Sequence, residues 1–79
     1  MRLVDTIPHP KMAISIFQLN NKLILKFEAG GMEQSFKFSE DEIKSADDLK
    51  VLVTEEFIGK VIARFNDMFL QRRNALEIK

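Results

Sequence analysis

Across residues 12–38, apolar and polar side chains alternate in three runs, MAISIFQL, KLILKFEA and MEQSFKFS. A period of two belongs to strands with one covered face. Asn20-Asn21 separates the first two runs and Gly30-Gly31 the last two. Asn tolerates positive φ and Gly accepts it freely, so both pairs suit two-residue hairpin loops.

The two turns can be tested against each other through register. Closing the first loop with Leu19 opposite Lys22 sets Ile16 opposite Leu25, Ile14 opposite Phe27 and Met12 opposite Ala29. Closing the second with Ala29 opposite Met32 sets Leu25 opposite Phe36 and Leu23 opposite Phe38. Both loops collect Met12, Ile14, Ile16, Leu23, Leu25, Phe27, Met32, Phe36 and Phe38 on one face. Ser15, Lys26, Glu28, Glu33, Ser35 and Lys37 fall on the other. A slip of one residue would invert every strand, so this agreement predicts a three-stranded antiparallel meander.

The pattern then changes period. Over residues 54–76, at about 100° per residue, Phe57, Ile58, Val61, Ile62, Phe65, Met68, Phe69, Ala75 and Leu76 share one sector of roughly 140°. The opposite side is polar apart from Ala63 and Leu70. This is a long amphipathic helix. Leu49, Leu52 and Val53 lie outside its apolar sector, so a straight extension backwards would expose them. A break is expected instead, with a short helix from Ala46 to about Leu52 capped by Ser45. Thr54 caps the long helix, Glu55 and Glu56 suit its positive end, and Val53 is placed to pack on Ile58. Ser39-Glu40-Asp41-Glu42 fits a capping box and predicts one helical turn before that. A strand over residues 49–53 is the competing assignment, on β-branched content.

The first eleven residues read less cleanly. Residues 2–7 have the β-branched content of a short additional strand, with Leu3, Asp5 and Ile7 on one face and Val4 on the other. Pro8-His9-Pro10 then forces a bend, because each proline removes an amide donor and biases its predecessor toward extended geometry. The expected architecture is a single α+β domain over residues 1–79. In it the sheet and the long helix form two layers, and the short helix closes one end.

Composition narrows the function. Twelve basic and twelve acidic residues leave no net charge, hence no long-range field to gather nucleic acid or an anionic membrane. With no cysteine, there is no disulfide and no thiolate chemistry. A chain of 79 residues is near the size at which apolar burial barely offsets conformational entropy, and such chains often find missing core in a partner. The amino terminus has no signal-peptide pattern and nothing approaches a membrane span, so the expected compartment is the cytoplasm.

Candidate chemistry is sparse. His9 is the only histidine and has no recognisable base–nucleophile spacing; with Asp5 it would make only two metal ligands, a poor site. Glu28 and Glu33 should oppose each other across the second hairpin, about 5 Å apart at their β-carbons. Paired carboxylates can do acid–base work, but an open sheet face beside Lys26 and Lys37 lacks a cleft to perturb them. Gly30-Gly31 matches neither nucleotide-loop pattern. We expect no catalytic residue, no metal and no cofactor.

Two apolar surfaces remain. Phe17 and Ile24 should be opposed on the outer face with Leu19 along the strand, a patch that the amino-terminal segment would hide if it folded across it. The long helix overhangs its sheet: residues 54–76 span about 34 Å, against about 24 Å for strands of seven residues. Phe69 and Leu76 lie on that overhang. These features predict a non-catalytic protein-interaction module that self-associates as a homodimer, the helix end ranking ahead of the outer patch. An unidentified protein partner fits the same surfaces. The alternative from another class is a single-strand nucleic-acid binder, stacking a base on Phe17 with Lys22, Lys26 and Lys37 around it. Opposing it are the neutral charge and the single aromatic. An enzyme comes last.

Overall fold

Two tight turns organise the first half of the chain. Asn20 takes φ 56°, Gly30 56° and Gly31 80°, left-handed conformations that asparagine and glycine reach at least cost. The computed structural model describes residues 1–78 as β1 (Arg2–Ile7), β2 (Ala13–Leu19), β3 (Lys22–Ala29), β4 (Met32–Ser39), α1 (Ala46–Leu52) and α2 (Glu55–Ile78). The strands form one antiparallel sheet in the order β1-β2-β3-β4.

The meander has the expected register. Leu19 pairs with Lys22, Ile16 with Leu25 and Ile14 with Phe27, while Ala29 pairs with Met32, Leu25 with Phe36 and Leu23 with Phe38. Met12, Ile14, Ile16, Leu25 and Phe27 are buried on the inner face, with Leu23, Met32, Phe36 and Phe38 packed around them.

β1 is the additional strand, and its faces differ from simple alternation. A bulge between Leu3 and Asp5 shifts the register, so Leu3 pairs with outward-facing Phe17 while Asp5 pairs with inward-facing Ile16. One extra residue on the bulged strand flips the alternation. Leu3 therefore points outward, and Val4 and Ile7 pack against the core. The grouping of Leu3 with Asp5 and Ile7 is corrected accordingly.

Local hydrogen bonds mark each later boundary. Glu42 and Ile43 donate their amides to the Ser39 carbonyl (3.0 and 3.1 Å), and Glu42 Oε1 accepts the Ser39 amide at 2.9 Å. That closes a single helical turn. Ser45 Oγ accepts the Asp48 amide (3.1 Å) at the start of α1, and Thr54 Oγ1 accepts the Phe57 amide (3.2 Å) at the start of α2. Residues 49–52 are helical, not a strand, because Leu49 is fully buried from α1 while Lys50 reaches Asp5 of β1 at 2.6 Å.

α2 follows the β3–β4 hairpin. Phe57 stacks 5.9 Å from Phe27 and sits 5.2 Å from Phe36, and those two rings meet edge-on at 6.2 Å. One turn on, the Gln34 side chain donates to the Val61 carbonyl at 2.9 Å. Val61 and Phe65 are the buried residues of the helix. Its length makes the molecule elongated, 44 × 26 × 19 Å with a radius of gyration of 14.1 Å, where a compact chain of this length has about 12 Å. Among the described residues, no helix is long and apolar enough to cross a membrane.

Candidate interaction surface

The apolar stripe of α2 outlasts the sheet beneath it. A β-carbon built on Gly31 would lie 4.0 Å from Arg72 Nη2, so Arg72 reaches the β3–β4 turn, the last of the sheet under the helix. Residues 73–78 project about 9 Å further at about 1.5 Å each. Phe69 is 51% exposed and Leu76 53%, although both continue the stripe that Val61 and Phe65 bury. Leu70, on the opposite side of the helix, is also exposed.

The outer sheet face holds the second surface, with a different composition from the one expected. Ile24 is buried, only 7% exposed, because Phe17 and the stem of Lys37 flank it across both neighbouring strands and long side chains cover apolar surface with their methylenes. β1 does not fold over this patch but extends the sheet beside it, adding exposed Leu3 next to half-buried Phe17. Leu19 stands at the exposed strand end. Leu3 escapes a reading by alternation alone; the poor periodicity of residues 2–7 is the one sign of the bulge that turns it outward.

The polar part of that face is internally engaged. Glu28 and Glu33 are opposed as expected, and Lys26 Nζ lies between them, 3.0 Å from Glu33 and 3.8 Å from Glu28. Its hydrogen bond to Glu33 holds the Lys26 ammonium above the ordinary lysine range. The same ammonium sits 5.8 Å from the centroid of the Phe17 ring, within cation–π range, so one face of the ring is already occupied.

His9 and Asp5 are not brought together as a site. His9 Nδ1 accepts the Lys11 amide at 3.1 Å, and Asp5 is taken by Lys50 and by the Thr6 amide at 2.8 Å. Both contacts favour the charged carboxylate, so the Asp5 pKa lies below the ordinary range, with the Lys50 hydrogen bond the larger cause. Among the described residues, no three His, Asp or Glu side chains gather where an ion could be held. A groove of about 230 Å³ opens beside the β2–β3 turn, with Gln18, Lys22 and Lys44 on its walls and Glu40 as its carboxylate.

The class of molecule defined by these features is a two-layer α+β domain, a four-stranded meander under one long helix, with apolar side chains exposed at the helix end and on the outer sheet face. Comparison with protein-family models, with curated proteins and with solved structures finds no match for it.

Proposed function

We propose that this chain is a small, non-catalytic protein-interaction module that self-associates through apolar surface which one copy leaves uncovered. The observation that carries the reading is the exposure of Phe69 and Leu76 on the same helical stripe that buries Val61 and Phe65. Apolar side chains of that stripe left uncovered in one chain cost free energy in water. A second copy would supply the missing cover, and a two-fold contact needs only one self-complementary patch. Its setting in this reading is the cytoplasm.

The engagement of Glu28 and Glu33 by Lys26 favours this reading over an enzyme. The occupation of Lys26 and of one Phe17 ring face favours it over a nucleic-acid binder. Light scattering from micromolar to near-millimolar protein tests it. The expected mass rises to two chains, and Phe69→Glu lowers the fraction of dimer. A dimer indifferent to Phe69→Glu but lost with Phe17→Glu would move the contact to the outer sheet face, and a constant mass of one chain would overturn the proposal.

A further inference from the structure

A sheet of four strands in sequence order has two free edges, and here they differ. At β1 a bulge breaks the ladder, Asp5 Oδ1 takes the Thr6 amide, and Pro8 and Pro10 follow directly. Such features keep further strands from adding to an edge. β4 lacks the bulge and the prolines: its eight residues contain no proline and no register shift, and a side chain takes an edge amide only at its last residue, Ser39.

The hairpin decides which main-chain groups β4 turns outward. A two-residue loop makes Ala29 and Met32 a hydrogen-bonded pair, and bonded and non-bonded pairs alternate along an antiparallel ladder. Met32, Gln34, Phe36 and Phe38 therefore bond to β3, while Glu33, Ser35, Lys37 and Ser39 direct their amides and carbonyls to the free edge. Ser39 agrees with that parity, since Glu42 Oε1 takes its amide and the next turn takes its carbonyl. Glu33, Ser35 and Lys37 are left open.

We infer that a second copy of this chain fills that edge, β4 pairing antiparallel with the partner's β4 about a two-fold axis at Ser35 to make one continuous sheet. The inference rests on the self-association proposed above and names the strand that carries it.

Charge selects the register. With Ser35 opposite itself, Glu33 meets the partner's Lys37 and Lys37 meets the partner's Glu33. Within one chain Glu28 and Glu33 share the single ammonium of Lys26, so their cluster keeps a negative charge. Among the described residues Lys37 has no ion-pair partner. The neighbouring bonded registers set Ser35 opposite Glu33 or Lys37 and lose both charge pairs. The next ones set Glu33 against Glu33 or Lys37 against Lys37, which is unfavourable for like charges directly opposed.

Both layers fit the same axis. On the inner face Met32 falls opposite the partner's Phe38, and Gln34 opposite the partner's Phe36; all four are only half-buried in one chain. Above them, Phe57 touches both Phe27 and Phe36, so α2 runs over the β3–β4 hairpin. Two helices centred over their hairpins would stand about 10 Å apart, two strand spacings of about 4.8 Å, and packed helices lie about 8–10 Å apart. With Phe57 at Phe36 and Val61 over Gln34, the axis passes near Gly59 of each α2, and the first two turns of the two helices lie side by side, antiparallel.

Because the chain has no cysteine, Ser35→Cys introduces the only thiol and reports the distance of that position from its own copy. Mild oxidation at micromolar protein should link most Ser35→Cys into a disulfide dimer, while Thr6→Cys on the β1 edge stays unlinked. Lys37→Glu should weaken self-association about tenfold by opposing two pairs of like charges, measured by light scattering on dilution. Adding Glu33→Lys to it should restore association, which a merely misfolded variant would not do. A dimer unaffected by Lys37→Glu, with Ser35→Cys unlinked, would overturn the edge pairing and leave self-association standing. A mass of one chain at near-millimolar protein would overturn both.

Discussion

The side-chain amide of Gln34 donates a hydrogen bond to the main-chain carbonyl of Val61, 2.9 Å away, tying the edge strand β4 to the second turn of α2. Gln34 is a polar residue on the covered face of the sheet, opposite Phe27, and its half-buried amide has this partner. Removing it as Gln34→Ala should cost about 1 kcal/mol, the usual net worth of such a bond, read as a lower urea midpoint at unchanged slope. Gln34→Glu should be worse than alanine at pH 7, because a carboxylate would face a carbonyl oxygen. It should gain on alanine as pH falls through about 5 to 4, where the protonated acid can donate again. Equal stability of the two variants across that range would contradict the contact.

Phe65 tests the helix–sheet core. It is buried at the centre of the α2 stripe, so Phe65→Ala should cost about 3 to 5 kcal/mol. A domain of this size has about 4 to 12 kcal/mol in all, and the alanine variant is expected to be largely unfolded by circular dichroism. Phe65→Leu, which keeps most of the volume, should remain folded with a measurably lower urea midpoint. A loss below about 1 kcal/mol for the alanine variant, the scale of surface substitutions, would place Phe65 outside the core.

The Asp5–Lys50 pair at 2.6 Å links β1 to α1 and sets a pH dependence. The Lys50 hydrogen bond and then the Thr6 amide lower the Asp5 pKa, so its contribution to stability is present above the unfolded carboxylate value, about 4. That contribution is lost as pH falls through the lower folded value. Lys50 is raised, chiefly by its hydrogen bond to Asp5. Its contribution is present below the unfolded value of about 10.4 and is lost as pH rises through the folded one. Urea midpoints measured from pH 2 to 5 should fall less steeply for Asp5→Asn than for the unsubstituted chain. Matching slopes would show that the pair does not hold in solution.

His9→Ala and Glu28→Gln serve as controls. His9 gives up one acceptor to Lys11, and Lys26 keeps Glu33 at 3.0 Å when Glu28 is neutral. Each should change stability by less than about 1 kcal/mol and leave the mass in solution unchanged. A tenfold shift in self-association, about 1.4 kcal/mol, would assign the altered residue to the contact surface.

The meander, its register and the break before the long helix were determined by the sequence alone. In each case local chemistry and the global pattern impose the same answer. Asn20 and Gly30-Gly31 accept positive φ, and a period-two pattern tolerates no slip between them. Ser45 and Thr54 cap helices whose apolar positions point in different directions. The overhang of the helix end that carries Leu76 was equally legible, because helix rise and strand rise are constants of the backbone. Tertiary structure alone decided what depends on a neighbour. The bulge in β1 exists only where that strand meets β2, and it turns Leu3 outward and Val4 inward. Ile24 is buried on the outer face, where adjacent strands set Phe17 and Lys37 on either side of it. The seating of α2 over the β3–β4 hairpin, which leaves the β4 edge open beside it, follows from Phe57 lodging against Phe27 and Phe36. Hydrophobic periodicity specifies which face of an element is covered; which neighbour covers it is settled by packing between distant residues.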